Sequence, residues 1–173
     1  MTRVALQLRQ YFDRAQLPLP EEPEVTTVDT PVPHLTLVAG NDADGIRVPG
    51  LLLEFHYGPV PMSPTYIEQD DSDALHEIEG QSWLVHRNRE QEFALCDQIS
   101  NLGLALNASI GSWPQVWVPD VAHAGEILPF WRRLEANQFP ELQASGWHIH
   151  ADPGYSLPTE RVKVDTILRD GER

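Results

Sequence analysis

The chain has 173 residues, with 12 Lys and Arg against 26 Asp and Glu and a formal net charge of −14. That length suits one domain with a sizeable core and not comfortably two, and that charge disfavours direct nucleic-acid binding by this chain alone, because it repels phosphate backbones at long range. Every apolar run falls short of the ~18 residues of a membrane span, the N-terminus lacks a signal peptide's charged-then-apolar pattern, and a lone cysteine, Cys96, precludes an internal disulfide and fits a reducing cytosol.

Residues 2–16 place Val4, Leu8, Tyr11, Phe12 and Ala15 on one side of a short helix. LPLPEEPEVTTVDTPVP comes next, and Pro18, Pro20, Pro23, Pro31 and Pro33 preclude helix and favour an extended connection. Residues 1–33 are therefore expected to form an N-terminal helix and Pro-rich arm, and 34–173 a single domain. His34–Val38 (HLTLV) and Leu51–Tyr57 (LLLEFHY) read as strands of an antiparallel hairpin, separated by the turn-forming GNDADG. In the second strand Leu51, Leu53, Phe55 and Tyr57 share one face, and Leu52, Glu54 and His56 the other. Glu68, Asp70, Asp71, Asp73, Glu77 and Glu79 make a concentrated acidic block, expected as a solvated loop. Ala74–Ile78 reads as a short strand within it, and Trp83–His86 as another.

Residues 87–102 have a helical pattern, with Phe93, Cys96, Ile99 and Leu102 near one stripe and Gly103 as the stop. Cys96 in that stripe reads as a small buried apolar residue. Gln115–Val118 is a short strand between Pro114 and Pro119. From Gly125 to Asp152 the chain reads as a helix, a stop and a strand. Ile127, Phe130, Trp131 and Leu134 recur at helical spacing. Phe139 is out of phase, and Pro140 predicts a kink because it has no N–H to donate to the preceding turn. Gly146 suits the helix C-terminus. Trp147, Ile149 and Ala151 then alternate with His148, His150 and Asp152 in the period of a half-buried strand. Arg161–Leu168 alternates likewise, and Asp170-Gly171 is a hairpin-turn dipeptide without a returning strand. This predicts that the 34–173 domain is truncated at its C-terminal end and that the natural polypeptide continues.

Few motifs carry chemistry. His148, His150 and Asp152, at i, i+2 and i+4 of one strand face, are candidate ligands for Zn²⁺ or a similar cation, and a small metal-dependent hydrolase is the function that set would serve. The structural alternative is a solvent-facing polar stripe, since His34, His56, His76, His86 and His123 are scattered in sequence and supply no second ligand cluster. There is no GxSxG elbow, no GxxxxGK[ST] phosphate loop and no GxGxxG turn, so no cofactor is expected. Arg132 and Arg133 are adjacent and diverge; they serve either surface solvation or docking to a partner domain or to phosphate. Trp131 and Trp147 are expected in the core, whereas Trp113 and Trp117, flanked by prolines, are candidates for capping a groove or an interface.

The order of these motifs resembles the N-terminal accessory region of bacterial SWI/SNF-type DEAD/DEAH-box helicases. The resemblance runs through LPLPEEPEV, PVPHLTL, LLLEFHYG and VHRNREQE, then through FPELQASGWHIHADP and ILRDGER. In VHRNREQE, Arg87 and Glu92 match the family pattern, and Asn88 stands where the family has aspartate. In FPELQASGWHIHADP the match is a Pro-x-Leu and a Gly-Trp ahead of an alternating strand. The resemblance implies an ATP-dependent DNA translocase as the parent protein and a non-catalytic accessory role for these residues. Its partner would be the helicase motor of the same polypeptide, and its location the cytoplasm. Arg87, Glu92, Trp113, Trp117, Arg132 and Arg133 are the interface candidates on this reading. The other reading is a free-standing protein–protein interaction module. The expected fold is α+β, a mostly antiparallel sheet with two principal helices packed on it.

Overall fold

Alternation along VPHLTLVAGN and RVPGLLLEFHY builds a ribbon with one apolar face, and the rest of the domain is laid against it. The computed structural model describes residues 24–41, 47–64, 73–110 and 112–157. Its strands are β1 (Val25–Val28), β2 (Val32–Asn41), β3 (Arg47–Tyr57), β4 (Val60–Met62), β5 (Asp73–Ile78) and β6 (Gln81–His86), followed by β7 (Leu104–Ile110), β8 (Trp113–Pro119) and β9 (His148–Ala151). The helices are α1 (Arg89–Asn101), α2 (Ile127–Arg133) and α3 (Phe139–Ala144). The expected helix at 2–16, Glu68, Asp70, Asp71, the strand at 161–168 and the turn at Asp170-Gly171 lie outside the described residues.

The expected hairpin forms. β2 and β3 pair antiparallel from Val32 opposite His56 to Asn41 opposite Arg47. Leu35 and Leu37 face Leu53 and Leu51 across the pair, and these four bury with Phe55 and Tyr57. The larger sheet has the order β7-β8-β3-β2-β9, with β4 also on β3; a second sheet has the order β1-β6-β5. The sheets are mixed rather than purely antiparallel: among the described residues five of the seven strand pairings are antiparallel, while β1 runs parallel to β6 and β9 parallel to β2. Parallel neighbours need long crossovers: β9 reaches β2 only after the chain has built its helices, and β1 precedes β6 by four strands. β1 also falls inside the stretch expected as an extended arm. Between Pro23 and Pro31 the β-branched run VTTV is free to pair, and it does.

α1 begins at Asn88, whose Oδ1 accepts the Gln91 N–H at 3.1 Å. Its buried stripe is Glu92, Leu95, Cys96 and Ile99, not the expected one through Phe93, which is 48% exposed. A charged residue opening the buried stripe shifts the apparent phase, and this is what misplaces Phe93. Cys96 is buried, as expected. The second helical segment runs through the predicted kink region without stopping. Between α2 and α3, Leu134–Gln138 form one π-helical turn, closed by the Phe139 N–H donating to the Leu134 carbonyl. The extra residue of a π-turn rotates the next turn of helix. Phe139, out of phase in an unbroken α-helix, is thereby buried with Trp131, Leu134 and Leu142. Pro140 sits in the first turn of α3, where its missing N–H costs little. The helix ends in a Schellman motif: Trp147 N–H donates to Leu142 O and Gly146 N–H to Gln143 O, with Gly146 at φ 98°. Leu142 and Trp147 are both buried, completing the motif's apolar contact.

The two helical segments cover the face of β2 and β3 that carries Leu35, Leu37, Leu51, Leu53, Phe55 and Tyr57. On the opposite face a smaller cluster of Val38, Ile110 and Val116, with Val48, Leu52, Trp113 and Val118 around it, seals the β7–β8 hairpin onto one end of the ribbon. β7 itself was not anticipated; β8 contains the strand expected at Gln115–Val118, Trp117 included, and extends it to Trp113 and Pro119. Gly50 makes this closure possible, since a Cβ there would lie 2.2 Å from Val116 Cγ1. Gly50→Ala is expected to destabilise the domain by about 1–3 kcal/mol, read as a lower denaturation midpoint with an unchanged urea m-value. An unchanged midpoint would mean that the hairpin does not approach β3 this closely.

Candidate functional site

The outer face of the ribbon, beyond the β7–β8 closure, carries a dense group of chemically versatile side chains. Because Leu35 and Leu53 point inward, His34, Glu54 and His56 point outward from β2 and β3. β9 joins β2 with His148 opposite His34 and His150 opposite Thr36. Three imidazoles stack across three adjacent strands. His34 lies 3.6 Å from His56, ring centroid to centroid, and 4.4 Å from His148, with interplanar angles of 12° and 10°. His150 meets His34 edge-on at 5.9 Å. Glu54 Oε2 lies 3.9 Å from His56 Nε2. His34, at the centre, is held well below the ordinary histidine range, to about 4, first by burial and then by repulsion from His56, His148 and His150.

His148 and His150 therefore share a face as expected, but their neighbours are other histidines. Asp152 does not join them. Its Oδ1 accepts the Gly154 N–H at 2.7 Å and its own N–H donates to Leu37 O at 2.9 Å, so its carboxylate closes an Asx-type turn. Stacked rings direct their nitrogens along parallel planes rather than at a shared point. Among the described residues, no group of three or more His, Cys, Asp or Glu is placed to hold a metal ion. His34 and His56 look scattered in sequence; the signal that could have found them is strand parity. Once HLTLV pairs with LLLEFHY, both histidines fall on the non-leucine face.

A second group sits under β3. Glu92, in the first turn of α1, takes Arg87 in a two-pronged ion pair, with Nε donating to Oε1 at 2.8 Å and Nη2 to Oε2 at 2.9 Å. Tyr57 OH donates to the same Oε1 at 2.6 Å and accepts the Asn88 N–H at 2.9 Å. Arg87 Nη2 also donates to Ser63 O at 2.6 Å. Burial, reinforced by the bond to Glu92, pushes the Tyr57 phenol far above its ordinary value, so it stays protonated. The Arg87 and Glu92 side chains are only 5% and 7% exposed. Both were expected at a partner interface, and the structure places them inside, bonded to each other.

The remaining interface candidates divide. Trp117 is buried and Trp113 is half-buried against the Val38–Ile110–Val116 cluster. Arg132 and Arg133 are exposed on α2. The Arg133 guanidinium sits 5.5 Å from the centre of the Phe130 ring. With Val121, Gly125, Glu126 and Pro129 these two residues line a shallow cleft of ≈ 460 Å³. Of the acidic block, Glu77 lies in β5, the strand expected at Ala74–Ile78, and Asp73 opens that strand, its Oδ1 meeting His86 Nδ1 at 2.6 Å. No helix among the described residues is long and apolar enough to cross a membrane. No protein-family model, no curated protein and no solved structure matches the chain.

The ion pair makes a sharp stability test. Glu92→Ala strands the Arg87 guanidinium in the interior and is expected to cost about 3–5 kcal/mol, whereas the double variant Arg87→Met with Glu92→Leu recovers most of that loss. Urea denaturation of the three proteins reads the difference. A Glu92→Ala protein as stable as wild type would show that the pair is solvated.

Proposed function

We propose that this chain is a non-catalytic accessory domain, the N-terminal region of a bacterial SWI/SNF-type ATP-dependent DNA helicase, which packs on or regulates the motor from the cytosol. The observation that carries the reading is where the resembling stretches fall. LLLEFHYG is the inner strand β3 and supplies Tyr57. VHRNREQE supplies Arg87 and Glu92, which bond to each other and, through Glu92, to Tyr57. FPELQASGWHIHADP is α3, its Schellman stop and β9. Separately weak motifs thus meet in one framework, as a shared scaffold requires, and the matched polar residues are spent on the scaffold rather than on a reactive site.

The surface of α2 is where this reading places the motor. Arg132 and Arg133 are exposed there, and Arg133 lines the cleft beside Phe130, giving positive charge and apolar area together on an otherwise acidic chain. Two measurements test the proposal. The first reads the gene past the codon for Arg173. An in-frame GxxxxGK[ST] loop with the other motor motifs is expected, whereas a stop codon with no motor encoded nearby overturns the proposal. In the parent protein, Arg132→Glu with Arg133→Glu is then expected to lower DNA-stimulated ATP hydrolysis about five-fold or more while this domain remains folded by circular dichroism. Unchanged hydrolysis would remove α2 from the contact.

A further inference from the structure

We infer that the four-histidine cluster is a proton-sensitive latch that holds β9 on the edge of β2 when its rings are neutral and releases it when they charge. β9 is four residues long and, among the described residues, lies at the end of the sheet with β2 as its one strand partner. On its outer side the attachment runs through the rings, with His148 stacked on His34 and His150 edge-on to it. Neutral imidazoles at these separations attract through their faces; imidazolium rings at the same separations repel.

The surrounding charges favour release. From β3 the cluster is faced by His56 and Glu54, the carboxylate nearest to it, which lies beside His56 rather than His148. From β9 it is faced by His148 and His150, and from β2 by His34. The carboxylate of Asp152, just past β9, accepts the Gly154 N–H, and the Arg47 guanidinium donates to Gly154 O, adding a cation at that end. Among the described residues, one nearby carboxylate against four imidazoles cannot neutralise the stack once more than one ring is charged.

Linkage gives the direction of the effect. His34 binds its proton less readily in the closed arrangement, and opening removes the repulsion from His148 and His150 while His56 stays beside it on β3, so the opened state takes up more protons as pH falls below the ordinary histidine range. The latch is therefore closed above that range and loosens as pH falls below it. Inside the sheet, half-buried Ile149 and buried Trp147 oppose release. The movement is thus confined to β9 and the turn after it, and leaves an unpaired β2 edge able to take another strand.

Hydrogen exchange of the full chain, corrected for the intrinsic pH dependence of amide chemistry, tests this. Between about pH 7 and about pH 5 the amides of residues 148–152 are expected to lose protection roughly ten-fold or more relative to those of β3. The double variant His34→Gln with His148→Gln is expected to abolish that difference. Protection of β9 that tracks β3 at both pH values, or a loss that persists in the double variant, overturns the latch. Should the double variant not fold, ring titration of the wild type by NMR decides. A central imidazole titrating well below the others, together with shifts in the β9 amides, supports the latch. Four independent titrations near 6.5 with silent β9 amides sink it.

Discussion

A carboxylate and a guanidinium removed from water together set the geometry of this domain. Glu92 is on α1, Arg87 on the segment leading into it and Tyr57 at the end of β3, so one network ties a helix start to a strand end and, through Ser63 O, to the segment after β4. Its bonds leave little freedom. Both carboxylate oxygens are taken, and Tyr57 OH both donates and accepts. Such a network is costly unless every member is satisfied, and so it selects one relative placement of α1 and β3. With that placement made, Leu95, Cys96 and Ile99 are delivered against the ribbon and the inner face closes.

The ribbon divides labour between its faces. The inner one is committed to the core along its length. The outer one is apolar where the β7–β8 hairpin closes over Gly50, and polar where β9 lies alongside. The smaller sheet keeps a more open surface. Leu75 on β5 is 65% exposed, and Val25 on β1 is also exposed, while Val85 on the central β6 joins the main core.

Local periodicity is the part of this fold that the chain alone displays. The β2–β3 hairpin, the helix across 87–102, the Gly146 stop and the strand through His148 and His150 come from spacing and turn chemistry, and the structure has them. The features that escape are set between distant segments. That β1 and β9 run parallel to their neighbours depends on crossovers that leave no local mark. Glu92 was unreadable as a core residue because its burial depends on Arg87 and Tyr57, not on its own polarity. The π-turn between α2 and α3 was legible only as an anomaly, in that Phe139 did not fit. Pro140 marked the place where the helix is irregular, and the helix absorbs an extra residue one turn earlier, so that Phe139 returns to the core. The histidine cluster escaped for the same reason as the parallel strands, since its members come from three strands brought together by register.

That register also explains why cluster and core are not independent. Leu35 pairs with Leu53 on one side and Ile149 on the other, which leaves His34 between Glu54 and His148. A slip of β9 by one residue would turn His148 and His150 toward the apolar layer and Ile149 toward water. Partial burial of Ile149, with Trp147 locked behind it by the Schellman turn, therefore places the imidazoles, and no separate force is needed to assemble them. Once placed, they act back on the strand that carries them. A face whose position is dictated by the core but whose charge depends on protons couples the edge of the sheet to the solution around it.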